Sequence, residues 1–168
     1  MSDAGEVHAA EASPEVTVRT ASVDDLSVLR NLYRRSSLSN VEDAAALSTH
    51  PELLVLGDNG VRAGWTRVAV DGSGAALGFA TAVPAAAYVL ELEDLFVDPD
   101  AMRRGVGRLL VEDVVDRARQ AGVERVEVTG NPAALRFYER MGFVADGEVP
   151  TLLAPGIRMH LAVSSAGG

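Results

Sequence analysis

Arg103-Arg104-Gly105-Val106-Gly107-Arg108 joins two segments of opposite character. Before it runs Leu90-Glu91-Leu92-Glu93-Asp94-Leu95-Phe96-Val97-Asp98-Pro99, an extended stretch closed by proline. After it, residues 109–121 repeat apolar side chains at helical spacing, with Leu109, Leu110, Val114, Val115 and Ala118 expected to be buried and Gly122 as the stop. A strand, a basic turn with two glycines and a helix together make an anion site. The first N–H groups of a helix have no partner inside it, and the dipole adds partial positive charge there. Glycines let a phosphate or pyrophosphate come close to the backbone.

Working outward, residues 16–19 read as a first strand, and Ser22 caps a helix whose stripe is Leu26, Leu29, Leu32 and Tyr33, with Asp25 reaching back to the cap. A second helix is expected over 41–47. Residues 50–64 are broken by Pro51, Gly57, Gly60 and Gly64 and give no clear pattern. Strands at 65–70 and 76–83 flank the turn Asp71-Gly72-Ser73-Gly74, and the next strand covers 89–97. Residues 123–128 alternate as a strand. Asn131 caps a helix with Pro132 at its first position, and that helix runs to Met141 before Gly142 ends it. Residues 143–144 and 157–163 complete the strands. The order predicts an α/β domain with a mixed sheet over 15–163, hairpins in the middle and a right-handed crossover after them. Residues 1–14 and 164–168, polar and without periodicity, read as tails.

Composition narrows the function. The chain has 168 residues, enough for one domain with its own core, and a net charge of −9, which argues against a nucleic-acid partner. Cysteine is absent, so thiolate metal sites, disulfides and a cysteine nucleophile are excluded; no metal is expected. No run of about 18 apolar residues suggests a membrane span. The first residues lack the basic start and apolar core of a signal peptide, so the expectation is a cytoplasmic protein. All 15 basic residues are arginine, and with abundant alanine and glycine this bias points to a GC-rich bacterial coding sequence.

Two segments together resemble the GCN5-related N-acetyltransferases. Val97-Asp98-Pro99 followed by Arg104-Gly105-Val106-Gly107-Arg108 is similar to the family's acetyl-CoA pyrophosphate loop. Asn131-Pro132-Ala133-Ala134-Leu135-Arg136-Phe137-Tyr138-Glu139-Arg140-Met141-Gly142-Phe143 is similar to its second cofactor motif, one helix and one strand downstream. One position departs: Met102 stands where the family loop usually carries Gln or Arg. The resemblance implies a mostly antiparallel sheet of six to seven strands with a splayed parallel pair, 89–97 and 123–128, flanked by about four helices.

It also implies an acetyl-CoA-dependent N-acetyltransferase in which an amine of a small molecule or peptide attacks the thioester directly. Pantetheine would pair with backbone at Leu95, Phe96 and Val97, as an added strand does. Pyrophosphate would rest on Gly105, Val106, Gly107 and Arg108, with charge from Arg103 and Arg104. Asn131, Ala134 and Phe137 would complete the cofactor wall. Tyr138 holds the family's acid position, to protonate the leaving thiolate, and the backbone N–H near Leu95 is the expected oxyanion donor. Glu93 is the candidate base, direct or through water, because polyamine acetyltransferases of this family carry a similar Leu-Glu-Asp run. Period-2 alternation would put Glu91, Glu93, Leu95 and Val97 on one face and Leu92, Asp94 and Phe96 on the other. Glu91, Glu93 and Asp94 lean toward a cationic acceptor. Homodimers are frequent in the family, so a homodimer is expected. A non-catalytic acyl-CoA-binding sensor on the same fold, or a longer acyl donor, are the competing readings.

Overall fold

Among the described residues, seven strands form one sheet in the order β1-β2-β3-β4-β5-β7-β6. The structure, a computed structural model, describes residues 15–164. The strands are β1 (Thr17–Thr20), β2 (Thr66–Val70), β3 (Ala76–Ala86), β4 (Val89–Val97), β5 (Arg125–Gly130), β6 (Val144–Val149) and β7 (Gly156–Ala162). Helices α1 (Leu26–Ser39), α2 (Val41–Thr49) and α3 (Asn59–Arg62) lie between β1 and β2; α4 (Val106–Gln120) connects β4 to β5, and α5 (Leu135–Arg140) connects β5 to β6. Only β4 and β5 are parallel, joined by the α4 crossover; every other neighbour is antiparallel. The predicted tails lie outside the described residues except for Ser164, whose carbonyl accepts from Arg119 Nε at 3.2 Å.

Alternation sends the two faces of the sheet into two cores. On one, Leu92, Val126, Val128 and Met159 pack under Leu110, Val111, Val114 and Ala118 of α4. On the other, Val68, Val70 and Phe79 pack under Leu26, Leu29 and Leu32 of α1. Arg67 pins β2 to α4 through two bonds to Asp113, 2.8 and 2.9 Å, with both side chains mostly shielded from water.

Three expectations change. First, α4 begins at Val106, inside the glycine turn, and not at 109. The core-facing stripe is Val106, Leu110, Val111, Val114 and Ala118, whereas Leu109 and Val115 are only half-buried. Second, the strand expected at 143–144 extends to Val149, because β7 pairs with it as far as Val149↔Gly156. Third, the simple alternation of β4 fails. Thr81 pairs with Asp94 but Ala82 pairs with Leu92, so Glu93 is an extra residue, a β-bulge. The bulge resets the faces. Leu90, Leu92, Leu95 and Val97 all pack toward α4, while Phe96 packs toward α1 with Tyr33 and Phe79.

The entry to α1 is held electrostatically. Asp25 accepts from Arg19 at 2.8 and 2.9 Å and from the Ser22 backbone N–H at 2.7 Å. Arg19, with the Ser22 amide second, holds the Asp25 carboxyl down to about 2. A depressed carboxyl stabilises the fold fully above its ordinary value near 3.8, and that stability is lost as pH falls toward 2. In chemical denaturation from pH 5 to pH 2, Asp25→Asn is therefore expected to be less stable than the unaltered chain at pH 5 and to converge with it at pH 2.

Candidate active site

The site is built where β4 leaves β5. The two strands pair only over 89–92 and 125–128; beyond Leu92 and Val128, β4 pairs with β3 alone and β5 with β7 alone. The Asp98 N–H donates to Leu77 O at 2.8 Å, which sets the β3–β4 alternation: backbone groups of Asp94 and Phe96 turn to β3, and those of Leu95 and Val97 turn into the gap. A sheet interior is thus left with free main-chain donors and acceptors along one strand edge.

A cavity of about 1020 Å³ fills this gap, ample for a ligand larger than a metabolite. Leu95, Val97, Met102, Arg103, Gly105, Val106, Gly107, Arg108, Asn131, Ala134, Phe137 and Tyr138 all line it. The sequence expectation therefore converges on one place for eleven of its side chains or backbones. Three others stand apart from the cavity: Glu93 does not line it, the Phe96 ring packs edge-on against Tyr33 at 4.8 Å, and Arg104 lies within electrostatic reach of Asp71, a carboxyl held low mainly by Ser73.

At the mouth, α4 opens with Gly105 as its N-cap in the left-handed region, φ +75°. Arg103 also has positive φ, +66°, a strained state for a residue with a side chain. Leu109 makes the first intrahelical bond, to Gly105 O at 3.0 Å, so the N–H groups of Val106, Gly107 and Arg108 face outward unpaired within the helix. Below them Asp98 is buried, its Oδ1 accepting from Asp100 N at 2.9 Å and its Oδ2 from Arg35 of α1. That pair ties α1 to the turn ahead of the glycines.

The far wall comes from α5. Asn131 caps the preceding 3-10 turn, with Oδ1 accepting from Ala134 N at 2.9 Å. Tyr138 is buried against Phe137 and Phe143 at ring distances of 5.1 and 5.4 Å. A Cβ on Gly130 would fall 3.1 Å from the Tyr138 ring and 2.9 Å from Met159 Cε, so a bare backbone at the end of β5 is what admits the ring. Burial pushes the phenol up to about 12, keeping it protonated. Its hydroxyl makes no hydrogen bond among the described residues and is not sealed off, which leaves it open to the cavity.

The acids of β4 separate. Glu93, the bulge residue, is exposed and unpaired among the described residues. Asp94 is half-buried opposite Thr81; burial, with Glu93 beside it, pushes its carboxyl up against the pull of the Thr81 hydroxyl. Thr81 in turn shares a buried hydrogen bond with Thr66, 2.9 Å. Glu91 is held bidentately by Arg158 at 2.6 Å, so it does not serve as a free negative charge for a ligand. A second cavity of about 360 Å³ shares Asn131 and Ala133 with the first, and Asp43, Glu148, Thr129 and Thr151 line it without any arginine. Residues 148–156 of that wall carried no readable motif. Among the described residues no group of three or more His, Cys, Asp or Glu is placed to hold a metal ion, and no helix is long and apolar enough to cross a membrane.

This chain belongs to the acetyltransferase (GNAT) family, which it matches over residues 23–143. It is similar to the phosphinothricin N-acetyltransferase of Alcaligenes faecalis, 31% identical over 143 residues that cover 78% of this chain and 71% of that protein. Over 55 residues it is 44% identical to the ribosomal protein bS18-alanine N-acetyltransferase of Salmonella typhimurium, covering 31% of this chain and 37% of that one. With four further relatives the match spans only 26% to 44% of their length. The PaiA N-acetyltransferase of Thermoplasma acidophilum, crystallised with coenzyme A, shares the fold at a TM-score of 0.69 and 16% identity, over 88% of this chain and 99% of that one.

Asp98→Ala removes both the Asp100 cap and the Arg35 pair, and is expected to cost about 1–2 kcal/mol in urea unfolding. Asp98→Asn keeps an acceptor for the cap and should cost roughly half of that.

Proposed function

We propose that the chain is an acetyl-CoA-dependent N-acetyltransferase acting on a primary amine of a small molecule or a peptide. The observation that carries this is a single cavity lined by three kinds of group that the reaction needs. Free backbone edges of Leu95 and Val97 suit a pantetheine amide; unpaired N–H groups of Val106, Gly107 and Arg108 suit a pyrophosphate; and the Tyr138 hydroxyl opens to the same space. The names of two relatives cover a small-molecule and a protein acceptor.

Acetyl-CoA supplies the thioester. Arg103 and Arg108 flank the phosphate seat, while Asn131, Ala134 and Phe137 bound the pantetheine. The acceptor nitrogen attacks the thioester carbon; the N–C bond forms and the C–S bond breaks. Glu93, exposed at the bulge, takes the proton from the amine directly or through water. The Leu95 N–H stabilises the oxygen as it becomes anionic. Tyr138, kept protonated by burial, donates to the leaving sulfur. The acceptor enters over the second cavity, whose charged lining is Asp43 and Glu148, which favours a cationic amine.

Calorimetric titration with acetyl-CoA, with free CoA alongside, tests the core of this reading, and micromolar binding is expected; no binding at millimolar ligand would overturn it. Gly105→Asp puts a side chain at φ +75° and a carboxylate before the N–H groups, so acetyl-CoA binding should be abolished. Normal binding by that variant would place the pyrophosphate elsewhere. Tyr138→Phe should lower kcat by roughly ten to a thousandfold, with acetyl-CoA affinity nearly unchanged. An equal loss of affinity would make Tyr138 a packing residue.

A further inference from the structure

The gap between β4 and β5 has a root, and its chemistry is unusual. In the four-residue parallel pairing, Glu91 lies directly opposite Glu127. Both side chains leave the face away from α4, since their neighbours Leu92, Val126 and Val128 fill the α4 core. Two like charges opposite each other on adjacent strands repel and would push the strands apart. Arg158, from β7, holds them together. Its Nη1 donates to Glu91 Oε1 at 2.6 Å and Thr129 Oγ1 at 3.1 Å; its Nη2 donates to Glu91 Oε2 at 2.6 Å and Glu127 Oε2 at 2.5 Å. Arg125 Nε takes the other oxygen of Glu127 at 2.9 Å.

The placement is specific. Glu91 and Glu127 are one residue short of the last paired positions, Leu92 and Val128, and Thr129 is the first β5 residue beyond them. One guanidinium therefore reaches over β5 to β4 and grips both strands where they part. The three charged side chains are 29%, 22% and 25% exposed, so water screens this contact only in part. A planar fork can serve both carboxylates at once, which an ammonium cannot.

We propose that Arg158 is a positioning residue for the cofactor gap: by clasping Glu91 and Glu127 it fixes the angle at which β4 and β5 diverge, and with it the reach of the free Leu95 and Val97 backbone across the cavity. This rests on the reading that acetyl-CoA occupies the gap. Without the guanidinium, the two carboxylates face each other at its root and the gap widens from below. Arg158 touches no part of the proposed cofactor; it acts through the strands.

The test is calorimetric titration of acetyl-CoA into the full chain and three variants. Arg158→Met is expected to weaken binding about tenfold or more, the scale of removing one partner from a half-buried charge network. Arg158→Met with Glu91→Gln removes the repulsion as well, and should recover most of that loss. Arg158→Lys keeps the charge but not the fork, and should fall between. Unchanged affinity in Arg158→Met would overturn the proposal. So would an equal, unrecovered loss in the double variant, which would mark Arg158 as a general stability residue. If Arg158→Met does not fold, Arg158→Lys decides: a severalfold weakening supports the clasp and unaltered affinity overturns it. Failure of the unaltered chain to bind acetyl-CoA would sink the functional reading and the clasp together, whereas normal binding with an indifferent Arg158→Met sinks the clasp alone.

Discussion

The parting of β4 from β5 is the constraint on which the rest of the structure depends. β4 must pair with β3 along its whole length, yet with β5 over only four residues. The extra residue at Glu93 lets one strand do both. A bulge adds local twist and kinks the strand that carries it, so the β3 ladder continues while the β5 ladder stops. Three consequences follow from that one insertion. Leu95 and Val97 return to the α4 face and seal the cavity floor; their main-chain groups are left unspent; and the C-terminal end of β4 delivers the chain to the glycine turn at the open end of the gap. A right-handed crossover then leaves α4 no option but to start there, with its unpaired N–H groups over the cavity.

Charge is distributed to match. The chain carries −9 overall, yet the large cavity is lined by Arg103, Arg108, Arg119 and Arg140. Two of these are neutralised along α4, Arg108 by Glu112 at 2.8 Å and Arg119 by Asp116 at 2.9 Å. Arg103 and Arg140 have no ion pair among the described residues, so the net field at the mouth is positive where the helix dipole already is. The opposite face of the sheet behaves differently. Glu91, Glu127 and Asp146 are paired there with Arg125, Arg158 and His160, whereas Glu93 and Asp94 of β4 have no arginine partner among the described residues.

What could be read from the sequence divides along the same line. The glycine turn, the Asn131 cap and the α5 segment around Tyr138 are short-range features: each needs only its immediate neighbours to take shape, and Asn131 caps the 3-10 turn that leads into α5. The β4 faces could not be read by alternation, because a bulge is decided by how β3 pairs, and Thr81 and Ala82 lie more than ten residues upstream. Glu91 looked like a free acid for the same reason. Its partner Arg158 sits 67 residues away and meets it only after β7 has docked on β5. Residues 148–156 carry no strong local signal, since a cavity wall made largely from a loop has no period.

This division also accounts for how little sequence the fold demands. Around the glycine turn the large cavity presents main-chain N–H groups, a strand edge and small residues at Gly105, Gly107, Ala133 and Ala134, with larger side chains such as Phe137, Tyr138 and Met141 on its far wall. A protein of 16% identity can therefore superpose at a TM-score of 0.69. The smaller cavity is the reverse. It is defined by the side chains of Asp43, Thr129, Glu148 and Thr151, drawn from α2, the end of β5, β6 and the loop before β7. Changing Asp43 or Glu148 alters its charge, and changing Thr151 also releases the Leu153 and Ala154 backbone that its hydroxyl holds. A wall built from backbone tolerates drift in sequence and a wall built from polar side chains responds to it, so the smaller cavity is the part of this surface whose shape and charge change most readily with substitution.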